Sequence, residues 1–165
     1  IVINMKSPNL KKKFEKHTEK SIAIMGHMGS GKTLIGKLIA KELNYRFFDS
    51  DKIIEKNTKK SIKNIFHSEG EARFRTIEEK TIINLQYERK MVLSLGGGAI
   101  LSSKTRKLLK NHFITVFLDT DFEILQQRLK NSYKRPLLLN ENILQKLKEL
   151  DNIRRKVLSV GKYQN

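Results

Sequence analysis

From Ser21 onward, the hydrophobic positions fall into short apolar runs that alternate with amphipathic stretches. The runs SIAIMG, YRFF, MVLSLG and FITVFLD are typical of buried strands, whereas LIGKLIAKEL, SKTRKLLKN and DFEILQQRLKN have helical spacing. Strands that take turns with helices favour a parallel sheet with helices on both faces. Ligands bind such sheets at the carboxyl ends of the strands, so the residues that follow each run are the first candidates for a site.

The first 20 residues do not share this alternation. They are polar and basic with a weak helical pattern, and we interpret 1–20 as a basic N-terminal extension that precedes one domain over 21–165. A chain of 165 residues has the size of one ordinary domain, and no Gly/Ser-rich linker divides it. The segment from about 129 to 144 has weak periodicity and mixes Asn, Ser, Tyr, Lys and Pro, which predicts a mobile lid.

The composition adds a strong positive charge. Lys and Arg number 34 against 17 Asp and Glu, a net charge of +17, which calls for anionic partners without choosing among nucleic acid, membrane surfaces and small phosphorylated ligands. Most of the lysines are expected to be solvated. A nucleic-acid-binding module remains a minor alternative, because no aromatic residues are interleaved with the basic ones.

The sequence disfavours disulfide-rich, membrane-spanning and exported proteins. It has no Cys, no apolar run approaching the roughly 18 residues of a spanning helix, and an apolar-then-basic N-terminal order that is the reverse of a signal peptide. We therefore expect a cytoplasmic protein with no membrane partner and no nucleic-acid partner.

A phosphate-binding motif follows the first strand. Residues 26–33 read GHMGSGKT, which fits G-x-x-x-x-G-K-[ST] in full and lies between a predicted strand and a predicted helix. In this motif the backbone N–H groups cradle phosphates at the helix N-terminus, Lys32 reaches the outer phosphates, and Thr33 offers its hydroxyl to Mg²⁺. The sequence therefore predicts a nucleotide-binding P-loop.

The second strand ends in Asp49-Ser50-Asp51. Side chains alternate along a strand with a period of two, so the two carboxylates project in roughly the same direction. One of them could serve the Mg²⁺ region and the other a substrate hydroxyl. The alternative is that Asp49 simply caps the helix that DSDKIIEKN begins.

Further along the chain, three more groups of residues are candidates for a binding site. Arg75 and Glu78 are three residues apart, and a surface ion pair on one helix face would explain them. The triple glycine 96–98 follows the third strand, where bare backbone can approach a ligand closely or simply form a turn. Guanidinium groups bind carboxylates and phosphates bidentately, which suits the arginines at 128, 135 and 154 if they converge on one cleft.

Taken together, GHMGSGKT, DSD, FRTIE, GGG and KRPLL, in this order and spacing, resemble the shikimate kinase family over approximately residues 21–160. The resemblance implies a P-loop three-layer α/β/α fold with a central parallel sheet, of the nucleoside monophosphate kinase type. It also implies transfer of the ATP γ-phosphoryl group to the 3-hydroxyl of shikimate, giving shikimate 3-phosphate on the way to chorismate and the aromatic amino acids. The protein would use ATP as co-substrate and Mg²⁺ as cofactor, and would work as a monomer.

The resemblance also assigns the acceptor contacts. The substrate-binding residues that it implies are Asp51, Arg75, Gly97, Gly98 and Arg154. Asp51 would hold the hydroxyl that attacks and assist its deprotonation. The two arginines would clamp the shikimate carboxylate, backbone from the two glycines would complete the pocket, and Glu78 would orient Arg75.

A second set of residues is implied for ATP and the metal. Lys32 and Arg135 would meet the transferring phosphoryl group, and Arg128 would lie against the adenine. Thr33 would bind Mg²⁺, with Asp49 nearby through water. The full ATP-binding set is Gly29, Ser30, Gly31, Lys32, Thr33, Leu34, Arg128 and Arg135.

The sequence departs from the family pattern near its C-terminal end. The family usually has a Tyr a few residues after the second clamp arginine and then a final strand and helix, whereas here the chain reads IRRKVLSVGKYQN. Arg155 is therefore a rival of Arg154. Either the sheet has four strands where five are usual, or the C-terminus is incomplete.

Related P-loop kinases are the main alternative. A gluconate kinase or a nucleoside monophosphate kinase would share the P-loop and the lid. The DSD, FR and GGG motifs favour a small polyhydroxy-acid pocket, whereas a base-binding pocket would want an aromatic stacking partner, and the chain has no Trp.

Overall fold

A computed structural model gives the structure of residues 2–3, 20–129 and 143–160. The strands are β1 (Val2–Ile3), β2 (Ser21–Gly26), β3 (Arg46–Asp49), β4 (Met91–Ser94) and β5 (Phe113–Leu118). The α-helices are α1 (Lys32–Leu43), α2 (Ser50–Thr58), α3 (Ile62–Asn84), α4 (Ser103–His112), α5 (Phe122–Leu129) and α6 (Ile143–Val160). Short 3₁₀ helices cover Leu85–Tyr87 and Ala99–Leu101.

The strands form one parallel sheet in the order β1-β5-β2-β4-β3. The chain runs from β2 to one side of the sheet through β3 and β4, and then crosses to β5 on the other side. The strand order therefore changes direction beside β2, which is where open α/β sheets bind ligands. The GHMGSGKT loop leaves β2 at this point.

The alternating pattern of the sequence predicts the fold class and four of these strands correctly, and SIAIMG forms β2 over the same six residues. The fifth strand has a different origin. β1 belongs to the segment interpreted as an N-terminal extension, and it pairs with Phe117 and Leu118 at the outer edge of β5. Residues 4–19 of that segment lie outside the described ranges.

Side chains of the central strand alternate between two hydrophobic cores. Ile22 and Ile24 face one side of the sheet, and Ala23 and Met25 face the other. None of these four residues is more than 7% exposed. The first core includes Ile39 and Ala40 of α1. The second includes Ile82 of α3 and Leu108 and Leu109 of α4. Burial on both faces explains why β2 has no alternation of apolar and polar residues.

The long helix α3 is broken at Gly70, where φ is 79° and ψ is 169°. Its second half carries Phe74, which packs with Ile54 of α2 and Ile65 of the first half. This packing fixes the direction in which the next residue, Arg75, projects. Within the described ranges, no helix is both long and apolar enough to span a membrane.

Candidate active site

One cleft of about 1050 Å³ lies at the carboxyl ends of the central strands. Its walls are the P-loop, the start of α2, the second half of α3 and the glycine turn after β4, with side chains from α5 and α6 closing the rim. The cleft therefore brings together nearly all the described residues that the sequence predicts for the site.

The P-loop has the backbone that its glycines predict. Gly29 and Gly31 have φ of 80° and 93°, a left-handed conformation that favours glycine. Lys32 lines the cleft, and its Nζ donates to the carbonyl oxygens of Gly26 at 3.0 Å and His27 at 2.7 Å. Ser30, which belongs to the loop, is fully buried.

Two further predicted ATP contacts lie beside the loop. Leu34 is 65% exposed and lines the cleft. Arg128 is exposed on α5, and its Nη1 donates to the carbonyl oxygen of Gly29 at 2.9 Å. α5 thus lies beside the P-loop and contributes the Arg128 guanidinium to the cleft. Arg135 and most of the predicted lid, 130–142, lie outside the described residues.

The two carboxylates after β3 have different surroundings. Asp49 caps α2, since its Oδ1 accepts from the backbone N–H groups of Asp51 at 3.1 Å and Lys52 at 3.3 Å. Its Oδ2 accepts a hydrogen bond of 2.8 Å from the Thr33 hydroxyl. Asp49 therefore acts as the helix cap and also meets the P-loop, so the two interpretations of this residue are compatible. Asp51 turns toward the glycine turn and lines the cleft.

Each glycine of the turn after β4 lies against a charged side chain. A Cβ at position 96 would collide with Glu78 and would lie 2.7 Å from Oδ1 of Asp51. A Cβ at position 97 would lie 3.1 Å from Nη2 of Arg154, and one at position 98 would collide with the guanidinium of Arg75. Glycine is required at these positions because charged side chains approach the backbone closely. Two guanidinium groups and two carboxylates occupy the space that a Cβ would fill.

Arg75 is held by carboxylates. Its Nη1 donates to Glu78 Oε2 at 2.7 Å, and its Nη2 donates to Glu71 Oε1 at 2.9 Å. Burial works against the charge of Arg75, but Glu78 and Glu71 outweigh it and raise the pKa of Arg75. Burial and, to a smaller extent, Asp51 raise the pKa of Glu78, although Arg75 opposes this. The pair thus joins a buried carboxylate to a partly exposed guanidinium within the site.

Arg154 reaches the same turn from α6. Its side chain is almost fully buried, and its Nη1 lies 2.8 Å from Nδ1 of His27. Burial and the nearby charge of Arg75 lower the pKa of Arg154 to about 10, while Asp151 and Glu78 oppose the shift. It remains a cation at neutral pH. The side chain of its rival, Arg155, lies outside the described part of the chain.

Three site contacts have no counterpart in the sequence interpretation. Ser50 is buried and accepts the backbone N–H of Gly96 at 2.9 Å, which anchors the glycine turn to α2. Glu71 shares Arg75 with Glu78. His27 bonds Asp151 as well as Arg154. Helical spacing could have indicated Glu71, which lies four residues before Arg75, but the other two contacts join residues far apart in sequence.

The candidate metal ligands in the cleft are oxygen atoms. The described residues hold no cluster of three or more His, Cys, Asp or Glu that could enclose an ion. The Thr33 hydroxyl and the Asp49 carboxylate do lie together at the start of α1. A hydroxyl and a carboxylate fit Mg²⁺, which completes its octahedral shell with phosphate oxygens and water.

Comparison with known proteins gives consistent matches. The family model described as shikimate kinase matches residues 28–161. The shikimate kinase of Rippkaea orientalis is 42% identical over 135 residues, which are 82% of this chain and 72% of that protein. The enzyme of Haemophilus influenzae strain Rd is 43% identical over 137 residues, covering 82% of this chain and 76% of the relative.

Solved structures match over the same region. Shikimate kinase from Acinetobacter baumannii, in complex with shikimate, superposes with a TM-score of 0.80 and 41% identity, covering 88% of this chain and 83% of that one. The enzyme from Aquifex aeolicus superposes with a TM-score of 0.72 and 37% identity, covering 84% and 82%. From the family match, these identities and the shared fold, we conclude that this chain belongs to the shikimate kinase family.

Proposed function

We propose that this protein transfers the γ-phosphoryl group of ATP to the 3-hydroxyl of shikimate, and so makes shikimate 3-phosphate and ADP. One observation carries the proposal. Two cationic guanidinium groups, Arg75 and Arg154, approach one glycine turn beside Asp51, inside the cleft that also contains the P-loop. The A. baumannii relative, solved with shikimate bound, supports the same ligand here.

The glycine turn offers a site for a small carboxylate. Two guanidinium groups can each donate charge-assisted hydrogen bonds to one carboxylate, and both approach the backbone at Gly97 and Gly98. Arg154 supplies the second cation in this proposal. A neutral sugar or polyol would accept no charge-assisted hydrogen bond between two ions from these guanidinium groups, which disfavours it as an acceptor.

In the proposed reaction, the 3-hydroxyl oxygen attacks the γ-phosphorus as the bond from that phosphorus to the bridging oxygen of ADP breaks. Asp51 holds the hydroxyl and accepts its proton. Lys32, near the P-loop carbonyl oxygens, turns toward the β- and γ-phosphates and neutralises the charge that develops there. Such transfers depend mainly on positioning and electrostatics, which an array of N–H groups and cations can supply.

Mg²⁺ is part of the proposal, with Thr33 and Asp49 as the residues that would hold it, the carboxylate acting through water. When bound, the ion would neutralise charge on the β- and γ-phosphates. Asp49 keeps its capping role through Oδ1, so only Oδ2 faces the proposed ion. The helix cap thereby fixes the orientation of the carboxylate.

Other parts of the proposal rest on the family resemblance alone. We assign Arg135 to the transferring phosphoryl group, the interval 129–144 to a lid that closes over ATP, and Arg128 to the adenine side of the nucleotide. The working form would be a monomer in the cytoplasm, with residues 21–165 as the kinase domain.

A coupled assay of ADP release tests the function itself. Shikimate, gluconate and AMP are supplied as acceptors at equal concentration, with ATP and Mg²⁺. We expect turnover with shikimate to exceed that with either other acceptor by about 100-fold or more, because only shikimate combines a carboxylate with a ring hydroxyl at the required place. Comparable turnover with gluconate or AMP would contradict the assignment.

Removing one clamp arginine should affect the binding of shikimate much more than the binding of ATP. We expect Arg75→Ala to weaken shikimate binding by about 100-fold, the scale of two lost charge-assisted hydrogen bonds, and to change ATP binding by less than about twofold. Arg73→Ala is the matched control, since Arg73 is 60% exposed and its ion pair with Glu69 spans 3.5 Å. Calorimetric titration of both ligands measures the effect.

The Arg75→Ala variant leaves Glu78 buried without its cation, so the fold needs its own check. Thermal unfolding of Arg75→Ala and of Arg75→Lys provides it, because Lys keeps the charge but loses the bidentate geometry. An equal loss of ATP and shikimate binding in a folded Arg75→Ala protein would rule out a carboxylate clamp at this position.

Replacing the proposed base should affect the chemical step. We expect Asp51→Asn to lower kcat by about 100-fold or more, the scale of a lost general base, with little change in either dissociation constant. Asp119→Asn serves as control, because Asp119 is an exposed carboxylate at the end of β5. A kcat within about twofold of the unmodified protein would exclude Asp51 as the base.

A further inference from the structure

His27 is a buried titratable residue that the proposed mechanism does not use. It occupies a variable position of the P-loop motif, and its side chain is 2% exposed. The imidazole lies between two charged residues of α6: Nε2 is 2.8 Å from Asp151 Oδ1, and Nδ1 is 2.8 Å from Arg154 Nη1. Asp151 and Arg154 are three residues apart and therefore share one helix face.

We propose that His27 is a positioning residue, which holds the guanidinium of Arg154 in place for the acceptor carboxylate by accepting its hydrogen bond at Nδ1. Asp151 supports this contact by fixing the imidazole tautomer. The inference rests on the proposed function, because it assigns a task to the arginine that the function places at the carboxylate. It adds a residue of the ATP-binding loop to the acceptor site.

The chemistry of the groups settles which nitrogen carries the proton. A guanidinium only donates hydrogen bonds, so the 2.8 Å contact requires a lone pair on Nδ1. In a neutral imidazole the hydrogen must then be on Nε2, which faces the carboxylate oxygen of Asp151 at 2.8 Å. One arrangement accounts for both contacts, with Arg154 donating to His27 and His27 donating to Asp151.

The contact with His27 leaves the other edge of Arg154 for a ligand. Nη1 is used by the imidazole, whereas Nη2 approaches Gly97. Nε is buried and has no hydrogen-bond partner within the described part of the chain. Nε and Nη2 form the side-on edge on which a guanidinium binds a carboxylate bidentately. His27 therefore turns this edge toward the glycine turn.

The same residue also contacts the phosphate side of the site. The carbonyl oxygen of His27 accepts from Nζ of Lys32 at 2.7 Å, while its ring holds Arg154. The backbone of one P-loop residue thus meets the lysine proposed for the phosphates, and its side chain meets the arginine proposed for the acceptor. A shift of the loop would move both cations.

Protonation of His27 should weaken acceptor binding. A proton on Nδ1 would remove the lone pair and put a second positive charge beside Arg154. Burial, and then the charges of Arg154 and Lys32, hold the pKa of His27 below its ordinary 6.5, although Asp151 opposes them. The rings of Phe117 in β5 and Phe122 in α5 complete the surroundings and do not titrate. Shikimate affinity should therefore fall as the pH drops through this lowered value.

Two substitutions of His27 and one control test the proposal in the full chain. His27→Leu removes the acceptor at similar volume, and we expect it to weaken shikimate binding by about tenfold or more while ATP binding changes by less than about twofold. His27→Asn places an amide oxygen near the position of Nδ1, and we expect it to restore most of the affinity without the acid dependence. Phe122→Leu alters the packing on the ring and should leave shikimate affinity within about twofold.

The readouts distinguish positioning from a purely structural role. Dissociation constants for shikimate and ATP are measured between pH 5 and pH 8, and imidazole ¹⁵N spectra of the unmodified protein report the tautomer of His27, assigned with His27→Asn. An Nδ1–H tautomer, or equal weakening of both ligands in His27→Leu and His27→Asn, would overturn the proposal. Should the unmodified protein release no ADP with shikimate, the proposed function fails. Normal turnover with unchanged shikimate affinity in His27→Leu would overturn this inference alone.

Discussion

The site depends on holding two guanidinium groups against one stretch of backbone in a partly buried cleft. Like charges in such a place repel, and the lowered pKa of Arg154 reflects both burial and the nearby Arg75. Each cation has its own support: Arg75 is paired with Glu78 and Glu71, and Arg154 is bonded to His27. Both guanidinium groups approach the same glycine turn, where an anionic ligand would relieve the repulsion.

The fold brings these groups together through short connections from neighbouring strands. β2 and β4 are paired, and Leu95 extends the pairing by donating its N–H to the carbonyl oxygen of Ile24 at 3.0 Å. The P-loop and the glycine turn therefore begin about one strand spacing apart, roughly 4.8 Å. Ser50 then ties the turn to α2. A phosphate on the loop and a small acid on the turn would be adjacent without any large movement of the sheet.

The sequence predicts the parts of this structure that depend on local patterns. Apolar runs predict β2 to β5, and in β2 and β4, which are buried at every residue, the run is continuous because neither face meets water. The P-loop motif is recognised by its fixed residue spacing. The capping pattern at Asp49 is also local. The ion pair of Arg75 with Glu78 follows from helical spacing, although only packing shows that its carboxylate is buried.

Contacts between distant segments could not be predicted in this way. His27 and Asp151 are 124 residues apart, and Ser50 and Gly96 are 46 residues apart, so no periodicity links them. Likewise, only the rotation of α6 shows that Arg154 lies beside Gly97. The pairing of β1 with β5 likewise depends on an open sheet edge, since a two-residue strand has no pattern of its own.

In the proposed function, the guanidinium groups of Arg75 and Arg154 select a carboxylate at the glycine turn. The most direct measurement compares the dissociation constants of shikimate and of its neutral carboxamide by calorimetry, at pH 7.5 and without nucleotide. We expect the amide to bind at least about 100-fold more weakly, since it loses charge-assisted hydrogen bonds from both arginines. Equal affinity for the two compounds would contradict it.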